Sequence, residues 1–124
     1  MTEYITKFKN SDFNNRKEQA LEIIKKYPER CPIIVFNDIN SNLTEFKVHK
    51  FLVPKDLTVS QFIHTIRNRN NIDPKFALFA FINDTIPSSS QRIGCIYKKY
   101  KDEDYYLYIK FTSENTFGQL LINY

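Results

Sequence analysis

Gly118 closes the string Glu114-Asn115-Thr116-Phe117-Gly118 and is followed by six residues, Gln119 to Tyr124; it is one of only two glycines in the chain. A cut between Gly118 and Gln119 in this polar terminal segment would leave a glycine carboxylate. With no Cβ, that carboxylate could enter a narrow active site and let an attacking group approach closely. A turn or frayed end is the plainer reading of a lone terminal glycine. Other candidates for chemistry are scattered. Cys31 and Cys95 have no CxxC spacing and no nearby histidine, so both read as reduced thiols. His49 falls on an expected strand and His64 on an expected helix, without a nucleophile and base arrangement. No glycine loop could cradle a phosphate and no spacing suits a metal. Asp102-Glu103-Asp104 reads as a solvated turn. The chain is therefore expected to be no enzyme and to hold no metal or resident cofactor.

The elements that would position such a terminus fit one domain. With 124 residues, 42% hydrophobic and 15% aromatic, the chain can bury a core without disulfides or metals. The first residues lack the apolar stretch of a secretion signal and nothing approaches membrane-spanning length, so a cytoplasmic protein is expected. The sequons at Asn42 and Asn83 then read as chance matches. A net charge of +4 and a pI near 9.0 go with early cations, Lys7, Lys9, Arg16, Lys17, Lys25, Lys26 and Arg30. These could face an acidic peptide, an anionic membrane, tubulin or nucleic acid, or form a solvated helix face. Nucleic acid is disfavoured because the glycine-bearing aromatic strand of an RNA-recognition domain is missing.

Apolar positions Phe13, Ala20, Leu21, Ile24 and Tyr27 recur at helical spacing, with Ser11 or Asp12 as N-cap and Pro28 as stop. A shorter helical turn is expected around Tyr4 to Phe8. Residues 31–36 read as a strand, 37–44 as a polar turn, and Lys47 to Val53 as a second, antiparallel strand closed by Pro54. Thr58-Val59-Ser60-Gln61 is a capping box, opening a helix to about Arg69. Ala77 to Ile82 reads as a buried strand ended by Asn83-Asp84. Ser88-Ser89-Ser90 can cap a short helix through Ile93, Ile96 and Tyr97, and Tyr105 to Phe111 is a last strand. The order from 31 to 111 is β-β-α-β-α-β. This is an α+β, ubiquitin-like β-grasp with a four-stranded mixed sheet and two additional N-terminal helices.

Several strings then stand in sequence: Lys26-Tyr27-Pro28-Glu29-Arg30-Cys31-Pro32-Ile33-Ile34-Val35, Lys50-Phe51-Leu52-Val53-Pro54-Lys55-Asp56-Leu57-Thr58-Val59-Ser60-Gln61-Phe62, Ala77 to Asn83, Asp102 to Tyr108, and Glu114 to Gly118. Together they closely resemble the autophagy ubiquitin-like modifiers, the family of GABARAP and the microtubule-associated protein light chains, over about residues 13–118. The resemblance implies a modifier domain over 1–118, with a helical arm (about 1–27) and a β-grasp core (about 31–111). It implies a removable propeptide at 119–124. A dedicated cysteine protease would cut after Gly118, with Phe117 anchoring the tail. A ubiquitin-like activating enzyme and a conjugating enzyme would then pass the carboxylate through thioesters to the amine of phosphatidylethanolamine. The lipid is covalent, not a cofactor. The protein would move from the cytoplasm to autophagosomal and vacuolar or lysosomal membranes.

The resemblance also implies two pockets for a W/F/Y-x-x-L/I/V motif carried by cargo receptors and machinery proteins. Ile23, Pro32, Ile34, Lys50, Leu52 and Tyr106 would form the first, and Phe51, Val53, Pro54, Leu57, Phe62 and Thr65 the second. Arg30 and Arg69 would extend a positive rim beside Lys50. The strand from Lys47 to Val53 reads as a sheet edge able to accept an extended peptide. Val48 and His49 replace common lysines, Gln19 a common glutamate, and Thr65 an aliphatic residue. Ser11 to Asn15 lacks a usual proline, and Asn70-Asn71 is more polar than the pattern. Motif preference is expected to differ accordingly. An unconjugated β-grasp adaptor binding peptides or tubulin is the competing reading.

Overall fold

In the computed structural model, which describes residues 3–113, two N-terminal helices precede a mixed sheet. The order is α1 Glu3–Lys9, α2 Phe13–Lys26, β1 Arg30–Asn37, β2 Lys50–Pro54, α3 Val59–Arg69, β3 Leu78–Phe81, α4 Ile93–Tyr100 and β4 Leu107–Ser113. The sheet runs β2-β1-β4-β3, antiparallel at both outer pairs and parallel between β1 and β4. The β-grasp order read from the sequence is the one observed.

Alternation along the strands divides the interior in two, because successive side chains point to opposite sheet faces. Cys31, Ile33 and Val35 of β1 and Leu107, Ile109 and Phe111 of β4 join Phe62 and Ile66 of α3 in the larger core. Ile34 and Tyr106 turn to the other face, where Ile5 of α1 and Ala20 of α2 cover them. The arm and α3 thus occupy opposite sides of one sheet.

Helix starts follow different rules from those expected at two places. The Thr58–Gln61 capping box forms in full, with Gln61 N–H donating to Thr58 Oγ1 at 3.2 Å and Thr58 N–H to Gln61 Oε1 at 3.0 Å. Asp12 stands at the start of α2 but makes no side-chain cap, and the Ser11 hydroxyl donates backwards to the Phe8 carbonyl. Serines 88–90 do not cap α4 either, since its N-cap is Arg92. Ile93 N–H and Gly94 N–H instead donate to the carbonyls of Leu57 and Lys55, at 2.8 and 2.9 Å. In exchange, Val59 and Ser60 N–H at the start of α3 donate to the Gln91 and Ser89 carbonyls. Two helix starts therefore satisfy each other's neighbouring segments. Gly94 is needed for this approach, because a Cβ there would lie 2.8 Å from Lys55 Cβ.

The edge strand is shorter than the expected run from Lys47. The N–H groups of Lys47 and Val48 both donate to Asn70 Oδ1 at 2.9 Å, so these residues bond to the end of α3 and regular β2 pairing begins at Lys50. β3 is the opposite edge and buries only Leu78 and Ala80, where a fully buried strand was expected. β4 begins at Leu107, because Tyr105 has φ 68° and cannot extend the strand.

Candidate functional site

The β2 edge sits between the arm and α3, and its five residues alternate between them. Paired with β1 from Arg30↔Pro54 to Ile34↔Lys50, it has no strand on its outer side among the described residues. Lys50 and Leu52 share the arm face. Phe51 and Val53 share the α3 face.

On the arm face, a cavity of about 350 Å³ opens between α2 and β2. Ile23, Pro32, Lys50, Leu52 and Tyr106 line it, together with Gln19, Glu22, Ile33 and Phe51, the last assigned to the second pocket from the sequence. Ile34, assigned to the same pocket from the sequence, does not line it; it is fully buried against Ala20 and Tyr106. Glu22 was not anticipated. Its signal is helical spacing, since Gln19, Glu22 and Ile23 fall at i, i+3 and i+4 on one face of α2. Burial, with lesser contributions from the charges of Asp104 and Tyr4, pushes the Tyr106 hydroxyl above its ordinary value and keeps it neutral.

The second predicted set lies on the α3 side without forming one exposed pocket wall. Val53 and Phe62 are core residues, and Phe51 meets Phe62 edge-on at 5.7 Å between centroids. Leu57 is half-buried against the same core and Pro54 is exposed. The Thr65 hydroxyl donates to the Gln61 carbonyl at 3.2 Å, turning its polar atom onto its own helix. Arg69 places its guanidinium 5.8 Å from the Phe51 ring centroid, while Arg30 is exposed at the Pro54 end of the edge.

A wider cleft of about 610 Å³ continues past Lys50 between α1 and the segment before β2. Lys7, Lys47 and Lys50 supply positive charge there, and Tyr4, Phe8 and Val48 supply apolar surface. The His49 ring stacks on Tyr4 at 3.8 Å and its Nδ1 lies 2.8 Å from the Val35 carbonyl oxygen. Lys50 Nζ sits 5.1 Å from the Phe8 ring, so α1 sets the position of the cation between the two cavities.

Buried charge fastens the arm that makes these walls. Asp104, expected in a solvated turn, is 1% exposed. Arg16 Nε donates to its Oδ2 at 3.0 Å, the Tyr108 hydroxyl donates to the same oxygen, and Tyr106 N–H donates to Oδ1 at 3.0 Å. Arg16 also donates to the carbonyls of Lys9 and Ser11, closing the α1–α2 connection. Burial and the hydrogen bond to Asp104 raise the Tyr108 hydroxyl far above its ordinary value. Lys9 pairs with Asp102 beside this cluster. Burial alone would raise the Asp102 carboxyl, but hydrogen bonds from Lys9 and Glu103 N–H and the charges of Lys9 and Arg16 hold it below its usual range. Phe117 and Gly118 lie outside the described residues.

The family model for the Atg8 ubiquitin-like autophagy proteins matches residues 15–118. The chain belongs to this family. Autophagy-related protein 8 of Mycosarcoma maydis is 41% identical over 114 residues, covering 91% of this chain and 97% of the relative. The Pichia angusta protein of the same name is 44% identical over 108 residues, covering 87% and 86%. Among solved structures, Trypanosoma brucei ATG8 matches with a TM-score of 0.82 at 39% identity, covering 92% of this chain and 96% of that one. Plasmodium falciparum Atg8, solved in complex with a P. falciparum Atg3 peptide, matches with a TM-score of 0.76 at 28% identity, covering 85% and 95%. As an Atg8-family member the chain is a ubiquitin-like autophagy protein, in a family of modifiers rather than enzymes. Among its described residues no helix is long and apolar enough to cross a membrane.

Proposed function

We propose that this Atg8-family chain is cut after Gly118, joined through that glycine to phosphatidylethanolamine, and used on autophagic membranes to hold W/F/Y-x-x-L/I/V motifs along β2. In the final step the lipid amine attacks the carbonyl of a thioester to the conjugating enzyme. An amide forms, the enzyme thiolate leaves, and the amine gives up a proton. The family match ending at Gly118 and the Atg3 peptide bound by the Plasmodium relative support conjugation and a conjugating-enzyme partner.

The two-faced edge of β2 carries the peptide-binding half of the reading. In an extended strand, residues three apart point to opposite faces and lie about 10 Å apart along the chain. A peptide paired to β2 would send its aromatic residue into the cavity between α2 and Leu52, and its aliphatic residue toward Phe51, Leu57 and Thr65. Each buried side chain contributes about 1.5–3 kcal/mol. Acidic residues preceding the motif would meet Lys7, Lys47 and Lys50, which offset the missing charge at Val48 and His49.

Calorimetry with a W-x-x-L peptide tests the groove. Lys50→Ala with Leu52→Ala should lower affinity at least about tenfold while the thermal melt stays cooperative; undiminished affinity overturns the pocket assignment. Intact mass from cells tests conjugation. Residues 119–124 should be lost and a phosphatidylethanolamine adduct gained, both absent in Gly118→Ala. A persistent full-length wild-type chain would favour the unconjugated adaptor.

A further inference from the structure

A second concentration of charge lies away from the β2 edge. A cleft of about 560 Å³ is walled by Phe13 and Lys17 of α2, Lys98 and Lys99 in the last turn of α4, and Lys101 and Tyr105 before β4. Asp102 at its margin is committed to Lys9, which leaves Glu103 as the local counter-charge. Among the described residues, none of the four lysines has a carboxylate within ion-pair distance. Four lysines against Glu103 leave the lining of this cleft net positive.

The floor between these lysines is aromatic and fixed. Lys17 and Lys101 lie 5.7 and 6.0 Å from the centroid of Tyr105. Tyr105 holds φ at 68°, in the left-handed region that bulky residues avoid. Its N–H donates to the Asp102 carbonyl at 2.9 Å and its own carbonyl accepts from the Tyr97 hydroxyl at 2.6 Å. Strained backbone of this kind gathers where a side chain must be held for recognition. Phe13, 38% exposed, adds apolar surface at the opposite wall.

We propose that this cleft docks an acidic segment of a partner protein, independently of the β2 groove. Carboxylates would pair with the four ammonium groups, and apolar or aromatic residues between them would lie on Tyr105 and Phe13. A peptide is favoured over a membrane surface because the aromatic floor lies between the lysines, with Lys17 and Lys101 5.7 and 6.0 Å from the Tyr105 ring centroid, a spacing that alternating acidic and aromatic side chains of one segment can match.

Fluorescence anisotropy with the full chain and a fluorescein-labelled Glu-Glu-Phe-Glu-Glu-Phe-Glu-Glu peptide tests the proposal. Binding should weaken with salt and fall at least about tenfold in Lys98→Glu/Lys99→Glu/Lys101→Glu. The same variant should keep its affinity for the W-x-x-L peptide, and Lys50→Ala/Leu52→Ala should show the reverse pattern. If the charge-reversed chain loses its cooperative melt, Lys98→Gln/Lys99→Gln takes its place, with a loss of about threefold expected. The proposal is overturned if acidic-peptide binding is absent, survives neutralisation of the lysines, or is lost with the groove variant. It is also overturned if phosphatidylserine-containing vesicles bind through these lysines and the peptide does not. Neither Gly118 processing nor W-x-x-L affinity enters the readout, so failure here leaves the groove and conjugation readings separately testable.

Discussion

Replacing Asp104 by Asn should be among the most destabilising single-atom-scale changes available to this chain. The substitution keeps an oxygen for Tyr106 N–H but turns Oδ2 into a donor that faces two other donors, Arg16 Nε and the Tyr108 hydroxyl. At 8% exposure, the Arg16 guanidinium cannot recover its lost partner from water without moving. Breaking one side of such a buried pair costs about 3–5 kcal/mol, a large share of a total stability of about 5–15 kcal/mol. With a urea m-value of about 2 kcal/mol/M, the unfolding midpoint should fall by about 1.5–2.5 M. Adding Arg16→Leu should restore part of the loss, because it removes the stranded cation. A midpoint within about 0.3 M of wild type, or two changes that simply add, would refute the argument that this pair fastens the arm.

Gly94→Ala should lower the melting temperature in spite of alanine's better helix propensity, because the new Cβ meets Lys55 Cβ at 2.8 Å and the Lys55 carbonyl at 3.2 Å; differential scanning calorimetry should show a cost of about 1–3 kcal/mol. Burial, partly offset by Lys55, pushes the Cys31 thiol up to about 11. At pH 8, iodoacetamide should therefore modify exposed Cys95 first and reach Cys31 only on unfolding, as read by peptide mass. Asp102 is held below its ordinary value, so its contribution to stability is present above about pH 4 and is lost as pH falls through the folded-state value. Lys9→Met should raise the Asp102 midpoint in a carboxyl NMR titration; its partial exposure limits the stability change to about 1 kcal/mol or less.

The elements whose rules are local could be read directly from the chain. Thr58 and Gln61 announce the start of α3 with side chains three residues apart, and the short β-rich run from Cys31 to Phe36 announces β1. Asp104 illustrates the opposite case. Its surroundings, Asp102-Glu103-Asp104, look solvated, and the residue that buries it is Arg16, 88 positions away. A clue was present at the other end of the pair, since Arg16 precedes Ala20 by four residues and so falls on the apolar stripe of α2. The beginning of β2 was misjudged for a related reason. Lys47 and Val48 have ordinary strand character, but Asn70 Oδ1 takes both of their N–H groups from the end of α3. The resemblance, not alternation, sorted Lys50 and Leu52 from Phe51 and Val53, whereas the burial of Ile34 depends on how closely Ala20 approaches the sheet.

An open sheet edge invites unwanted company as readily as a ligand, and β2 carries its own restraint. Its five residues span about 17 Å, long enough to line up a short motif and too short to template a broad sheet. Pro54 has no N–H to donate at one end, and Lys50 would be brought close to its own kind if two copies aligned in parallel. Discrimination against self-assembly is thus written into the same five residues that offer the binding edge.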